Sequence, residues 1–291
     1  DQPLTPAVLL DADRSFRAAL PSELRPAVTA QGSESSHYAV RKTKSPVETV
    51  DGEVRSYQYL DLSWISGAER YVRYVEGRPP GAPGKPDDGP LFEVALARKV
   101  AGEMRLRVGS TVRLGGMQRL AARVTGLFEP LEPDSRYWRH NDALRKVVKV
   151  REPGADTDDW YATGLVADTA LPELGTLYPN TTYRWVIGVN GPAVTTLRAP
   201  ELAEAVRAFR GAVPVVIEGT SPGTLDTGLD SLLDEHMNRL SIAESLLLFV
   251  IGGLLTVALG VIALAVRLLA ERMRHSLALI RARGASLARI A

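Results

Sequence analysis

The sequence predicts an α+β fold, in which a large extracytoplasmic domain is followed by a long stalk helix that is continuous with a transmembrane helix. Three observations support this. Residues 245–266 carry no charge over 22 positions, enough for a helix to span the roughly 30 Å core of a bilayer. Leucines recur every three or four residues before that run, and the first 214 residues mix strand-like and helix-like segments. We divide the chain into an extracytoplasmic domain (1–222), a stalk helix (223–243), a transmembrane helix (244–267) and a cytoplasmic coupling helix (268–291).

The extracytoplasmic domain begins with a helix. Thr5 is suited to the N-cap, Pro6 to the first helical position and Pro21 to a stop signal. Short apolar or alternating runs between turn residues predict strands at 37–41, 54–62, 91–96, 111–114, 120–128, 160–166, 183–189 and 213–218. Helical spacing predicts helices at 68–75, 97–104 and 201–209. Because short turns join many of these strands, we expect hairpins, and the prolines of 77–90 predict a surface loop.

The stalk is predicted from an apolar stripe with acidic residues between its members. The stripe consists of Leu225, Leu229, Leu232, Leu233 and Leu240. From Leu229 onward neither proline nor glycine interrupts the helix before the apolar span. Such a stripe needs a partner, and we expect a second stalk helix continuing from an upstream membrane span. The alternative is that the stripe packs back on the extracytoplasmic domain.

The charges that flank the apolar span predict its orientation. Six arginines and one acid follow it, whereas the twenty residues before it hold one arginine and five acids. By the positive-inside rule the tail is cytoplasmic and the large domain lies outside a bacterial cell membrane. Delivery of that domain requires an earlier membrane segment, which we expect upstream of Asp1. A helix buried in a soluble core is the alternative, but such helices are shorter and keep a polar stripe.

Composition argues against several function classes. The net charge is +1, so we expect no nucleic-acid partner, and the absence of cysteine removes disulfides and thiolate sites. Gly84-Lys85-Pro86 lacks the spacing and the hydroxyl of a phosphate-binding loop. The four histidines are widely separated, and we interpret them as surface residues: His37, His140, His236 and His275. We therefore expect no catalytic residues, no metal and no cofactor, and we predict that the chain is not an enzyme.

Small residues repeat every four positions within the span. Gly252, Thr256 and Gly260 share one helical face, which allows close approach of another membrane helix. We expect packing against other helices of the same protein or against a second copy, in addition to contact with the lipid bilayer.

The cytoplasmic tail predicts a helix, a break and a second helix. Leu277 and Ile280 continue the apolar face, Gly284 is suited to a C-cap, and Ser286 to the N-cap of the next helix.

Residues 277–286, LALIRARGAS, resemble the segment after the second membrane helix of FtsX-like ABC transporter permeases, the superfamily that includes MacB and the lipoprotein-releasing permeases. Residues 77–79, 93–96, 107–112 and 123–128 are similar in order and spacing to the MacB-like periplasmic core domain. One departure is that family members usually carry Arg-Glu where this chain has His275-Ser276.

The resemblance implies a permease subunit that binds no ATP itself and works with a separate cytoplasmic ABC ATPase. Motion of that ATPase would pass through the tail, span and stalk to the outer domain for export or release of a substrate. The implied ATPase-coupling residues are Leu277, Leu279, Ile280, Arg281, Gly284 and Ser286. The competing hypothesis is a single-span receptor, or an anchored extracellular binding module, whose tail signals to another protein.

Overall fold

The computed structural model describes residues 3–86, 89–116, 119–177, 180–214 and 223–282, with residues 275–282 as helical backbone. The chain forms two compact units. The first comprises Asp1–Thr195 and Glu204–Asp226, and the second comprises Thr196–Ala203 and Thr227–Ala291. The fold is mixed α+β, with one sheet in the first unit and one long apolar helix in the second.

Helix α1 begins where capping chemistry favours it. Helix α1 starts after Thr5, whose hydroxyl accepts a hydrogen bond from the Val8 amide at 3.3 Å, and Pro6 is its first residue, as predicted. The α-helices are α1 (Pro6–Ala19), α2 (Arg98–Met104), α3 (Asp142–Arg145), α4 (Leu171–Gly175), α5 (Ala199–Arg210) and α6 (Leu229–Ala282).

Eleven strands of the described residues form one mixed sheet. They are β1 (His37–Lys42), β2 (Val47–Val50), β3 (Glu53–Val54), β4 (Gln58–Ile65), β5 (Val72–Gly77), β6 (Leu91–Ala97), β7 (Thr111–Leu114), β8 (Leu120–Pro130), β9 (Val148–Val150), β10 (Asp159–Leu165) and β11 (Thr181–Val186). Their order is β11-β1-β4-β10-β6-β8-β7-β2-β3, with β5 also on β8 and β9 also on β10.

The sheet is not built from hairpins alone. Strands β4 and β10 pair in parallel, and so do β6 and β8. The second pair arises because α2 and the turn after it return the chain before β7 and β8 form their antiparallel hairpin. A parallel pair needs such a crossover, which turn lengths alone did not predict.

Other sequence predictions are corrected by the structure. The helix predicted at 68–75 is wrong: Ala68–Arg70 forms a single 3-10 turn, and β5 follows it. The β-branched and aromatic residues Val72 and Tyr74 pair there with β8, so tertiary pairing overrides the helical spacing. The strand predicted at 54–62 is split at Tyr57, whose φ is 58°. Residues 213–214 are not in a strand, and the rest of the strand predicted at 213–218 lies outside the described residues.

Buried aromatic side chains pack against the sheet. Tyr137 and Trp138 are both almost fully buried, and the Tyr137 ring stacks on Tyr71 with 3.9 Å between centroids. Trp138 lies 6.5 Å from Phe128 of β8, and its indole nitrogen donates to the Leu131 carbonyl at 3.2 Å. The segment around residues 131–145 is therefore fixed onto the sheet by large apolar contacts with satisfied polar ends.

The second unit is dominated by α6. Its 54 residues correspond to a rod of about 80 Å at 1.5 Å per residue. The helix begins after Gly228, where the Leu229 amide donates to the Thr227 hydroxyl at 3.2 Å. The predicted continuity of stalk and apolar span is thus confirmed, whereas the predicted start of the stalk helix at residue 223 is wrong, because the helix begins at Leu229.

Candidate functional site

The predicted stalk residues differ in their environment along α6. Leu225 precedes the helix, so its inclusion in the stalk helix is wrong: Gly228 separates it from the first turn. Leu233 is buried, Leu229 and Leu240 are half-buried, and Leu232 is 64% exposed. The leucines of the predicted stripe that are at least half-buried are therefore Leu229, Leu233 and Leu240. They recur at helical spacing on one side of α6.

The apolar segment of α6 has the properties of a membrane span. Within the described residues, α6 is the one helix long and apolar enough to cross a membrane, and none of its apolar window is buried. This exposure contradicts the interpretation as a soluble core helix. Its fourteen Leu, Ile, Val and Phe side chains would favour insertion by about 6 kcal/mol at roughly 0.45 kcal/mol each.

The two polar side chains of the span are satisfied by the helix itself. The Ser245 hydroxyl donates to the Ser241 carbonyl, and the Thr256 hydroxyl donates to the Gly252 carbonyl, both at 2.8 Å. Such bonds to the preceding turn remove the cost of an unpaired hydroxyl in hydrocarbon. The span therefore presents no unpaired side-chain donor to lipid.

The predicted small-residue face is open. A Cβ atom added at Gly252, Gly253 or Gly260 would meet nothing within 4 Å outside the helix's own backbone. Thr256 adds no extended side chain between them, because its hydroxyl folds back onto Gly252. Another helix could therefore approach this face closely.

The predicted coupling residues lie at the end of α6 and beyond it. Leu277, Leu279, Ile280 and Arg281 belong to the helical backbone, which continues from the apolar span to Ala282. Gly284 and Ser286 lie outside the described residues. The backbone thus connects the stalk to the coupling segment without a break through Ala282.

A loop clamp brings together three of the four segments on which the expected resemblance to a permease family rests. The Arg78 guanidinium forms two bonds with the Glu93 carboxylate, at 2.6 and 2.7 Å, and the Gly81 amide donates to the same carboxylate at 2.7 Å. This pairing lowers the pKa of Glu93. A Cβ at Gly126 would lie 2.2 Å from the Arg78 carbonyl, so the close approach requires glycine there.

A second cluster, which the sequence analysis missed, lies on one face of the sheet in the first unit. We call it the polar layer and define it as His37, Arg41, Asp61, Ser63, Asn141 and Thr163. Arg41 is the register partner of Ser63, and Asp61 is the register partner of Thr163. The Asp61 Oδ1 atom and the hydroxyls of Ser63 and Thr163 are buried with no hydrogen-bond partner among the described residues. An ionised carboxylate is costly in such a setting.

The hydrogen bonds of Asn141 define the protonation of His37. Arg41 can only donate, and its guanidinium lies 3.4 Å from Asn141 Oδ1, so the amide nitrogen faces His37 Nε2 at 3.1 Å. His37 Nε2 must then accept, which requires a neutral ring with its proton on Nδ1. His37 is 5% exposed, so its interpretation as a surface residue is wrong.

Burial shifts two pKa values of the polar layer in ways that favour neutral forms. Desolvation raises the pKa of Asp61 to about 6, although Arg41, the backbone amides of Ser45 and Lys44, and Lys42 act in the opposite direction. Desolvation, with repulsion from His140 and Arg184, lowers the pKa of His37 to about 4. A sequence signal existed, because Asp61 is a charged residue between two leucines, Leu60 and Leu62.

Among the described residues, no three His, Cys, Asp or Glu side chains are grouped to hold a metal ion. No protein-family model matches the chain, and no curated protein or solved structure matches it at a significant level.

Proposed function

We propose that the chain is a permease subunit of an ABC transporter of the FtsX/MacB type. It passes ATPase-driven motion through α6 to its mixed α+β unit for export or release of a substrate. The observation that carries the proposal is the unbroken helix Leu229–Ala282, which joins half-buried stalk leucines, an exposed apolar span and the coupling segment in one rod.

A rod of this kind transmits displacement because its backbone bonds are all internal. Bending a helix sharply requires proline, a glycine pair or an inserted group. Only Gly252 and Gly253 provide such a pair in the described part of α6, so that turn is where a sharp bend would be expected there. On either side of this pair, back to Leu229 and on to Ala282, the helix has no such interruption and each part transmits displacement as a rigid segment, which an anchor would not need.

The loop clamp also supports the permease family. Arg78, Glu93 and Gly126 come from three of the four segments that resemble the MacB-like periplasmic core domain, and they meet in space. On this proposal the large unit is extracytoplasmic, the tail is cytoplasmic, and an ABC ATPase binds around residues 277–286.

The test weakens α6 between the stalk and the apolar span and leaves both ends of the helix unchanged. Ser241, Ile242 and Ala243 lie in α6 at the junction of stalk and span. Changing all three to glycine softens the helix by roughly 1 kcal/mol per residue, whereas S241A with I242A keeps helix propensity. The full-length protein is purified from native membranes with its bound partners, and hydrogen exchange of the large unit is compared with and without ATP.

We expect an ABC ATPase to co-purify with all variants. ATP-dependent changes in exchange should be present in wild type and the alanine control and lost in the glycine variant. Co-purification without any ABC ATPase would support the receptor hypothesis instead. Persistence of the ATP response in the glycine variant would contradict transmission through α6.

A further inference from the structure

A cleft in the first unit lies at the carboxyl ends of the parallel strands β4 and β10. Its volume is about 240 Å³, and it is open to solvent on one side. Trp64, Val72 and Leu165, all buried, line its floor, and Tyr74 and Pro80 line its wall. The carboxyl ends of parallel strands are where open sheets commonly bind ligands.

Two carboxylates lie at the cleft. Asp168 accepts a hydrogen bond from the Trp64 indole nitrogen at 2.6 Å, which fixes its position over the apolar floor. Glu69 also lines the cleft and is exposed; burial, and after it the charge of Glu69, raises the pKa of Tyr74. Both residues sit in short 3-10 turns that directly follow β4 or β10 in the chain.

Neither carboxylate is neutralised by a nearby cation in the part of the chain that the structure describes. No Lys, Arg or His nitrogen lies within 4 Å of Glu69 or Asp168 there. The arginines of the adjoining loops have other contacts: Arg78 pairs with Glu93, and Arg70 lies over the Tyr71 ring at 5.9 Å. The cleft therefore combines an apolar floor with a net negative charge.

We propose that this cleft binds a lysine or arginine side chain of a polypeptide partner. An aliphatic stem would cover the apolar floor, and the cationic head would lie between the two carboxylates and near the face of Tyr74. The volume suits a single side chain better than a whole small-molecule ligand, which usually takes roughly 300 Å³ or more. The inference does not depend on the permease proposal, because the first unit alone supplies every group involved.

The probe is the blocked tripeptide acetyl-Gly-Lys-Gly-amide, compared with the same peptide carrying neutral norleucine. The full chain in detergent micelles is labelled with ¹⁵N at its indoles, and the Trp64 signal is assigned from W64F. Trp138, whose indole donates to a main-chain carbonyl, is the internal reference. Pentylamine serves as a third probe that carries the same cation without a peptide.

We expect the lysine peptide to shift the Trp64 signal saturably, while the norleucine peptide and the Trp138 signal show no change. Glu69→Gln should weaken the response about tenfold, because one charge-assisted contact is lost. Glu53→Gln, in β3 at the edge of the sheet, should leave it unchanged.

Three outcomes would overturn the inference. The first is the absence of any Trp64 shift up to about 10 mM lysine peptide, an affinity too weak for recognition. The second is an equal shift by the norleucine peptide, which would indicate an apolar site. The third is tighter binding of pentylamine than of the peptide, which would identify a free amine as the ligand.

Discussion

The first prediction concerns the pH dependence of stability that Asp61 and His37 of the polar layer produce in opposite directions. The folded state holds Asp61 protonated up to a pKa of about 6, whereas an unfolded aspartate ionises near 3.8. As pH rises from 3.8 to 6, the unfolded state loses a proton that the folded state keeps. The stability contribution of protonated Asp61, complete below pH 3.8, is therefore lost over this window. At 1.36 kcal/mol per pKa unit the loss is about 3 kcal/mol.

His37 acts in the opposite direction. Its pKa is about 4 in the folded state and 6.5 when unfolded, so the unfolded state binds the extra proton between these values. Stability from neutral His37 is complete above pH 6.5 and is lost as pH falls through 4, again by about 3 kcal/mol. Between pH 4 and 6 the loss of stability from Asp61 and the gain from His37 nearly cancel as pH rises. The free energy of unfolding of wild type should therefore show little pH dependence from the polar layer.

Single substitutions separate the pH dependence of stability due to Asp61 from that due to His37. Asp61→Asn mimics the protonated acid, so it should match wild type at pH 4 and gain up to about 3 kcal/mol at pH 7. His37→Gln should show its gain at pH 4 instead, with a constant offset from lost contact with Tyr137, whose ring lies 4.8 Å away. Because neither group contributes to the pKa shift of the other, the double variant should combine both effects.

The assay is thermal unfolding of the full chain in detergent, followed by tryptophan fluorescence from pH 4 to 7. A difference of 3 kcal/mol corresponds to a Tm shift of about 6–12 °C for a unit of this size. The variant is compared with wild type at each pH, which removes the common effect of other carboxylates such as Asp51 and Glu93. Curves that stay parallel across the pH range would refute the assignment of these linkages to Asp61 and His37.

Two further predictions concern α6. Replacing Gly252 and Gly260 together with leucine should abolish co-purification of the partner helix, whereas Ala258→Leu, on the opposite face of α6, should retain it; equal loss in both would contradict a specific packing face. Because the chain has no cysteine, V54C and R274C provide single labelling sites. In intact cells an impermeant maleimide should label the exposed position 54 and not position 274, and the reverse pattern would contradict the proposed orientation.

Local signals in the sequence predicted the elements whose structure is locally determined. The capped helix after Thr5, the strand and helix at 91–104, and the continuous helix from Leu229 all depend on neighbouring residues. The helix predicted at 68–75 was wrong because the strand found there is fixed by pairing with β8, more than fifty residues away. The parallel pairing of β4 with β10 could not be predicted either, because no local sequence pattern indicates which distant strand pairs with a given one.

The same distinction applies to the candidate sites. The apolar span and its small face could be predicted from periodicity alone, and Asp61 could have been noticed as a charge between two leucines of a predicted strand. The cleft could not, because Glu69 and Asp168 are separated by about a hundred residues and meet only through the parallel pairing of β4 and β10. Gly228 limits the stalk at its start, which the leucine spacing alone did not reveal.

The pairing of β1 with β11 has a consequence for biosynthesis. About 140 residues separate Lys42 from its partner Thr181. At about 5–20 residues per second, β1 must wait on the order of 10 s before its outer neighbour is made. During that interval its backbone donors and acceptors on that side are available to other nascent strands. Newly made chains should therefore depend on a holding chaperone until β11 emerges, and slower translation between the two strands should lower the yield of folded protein.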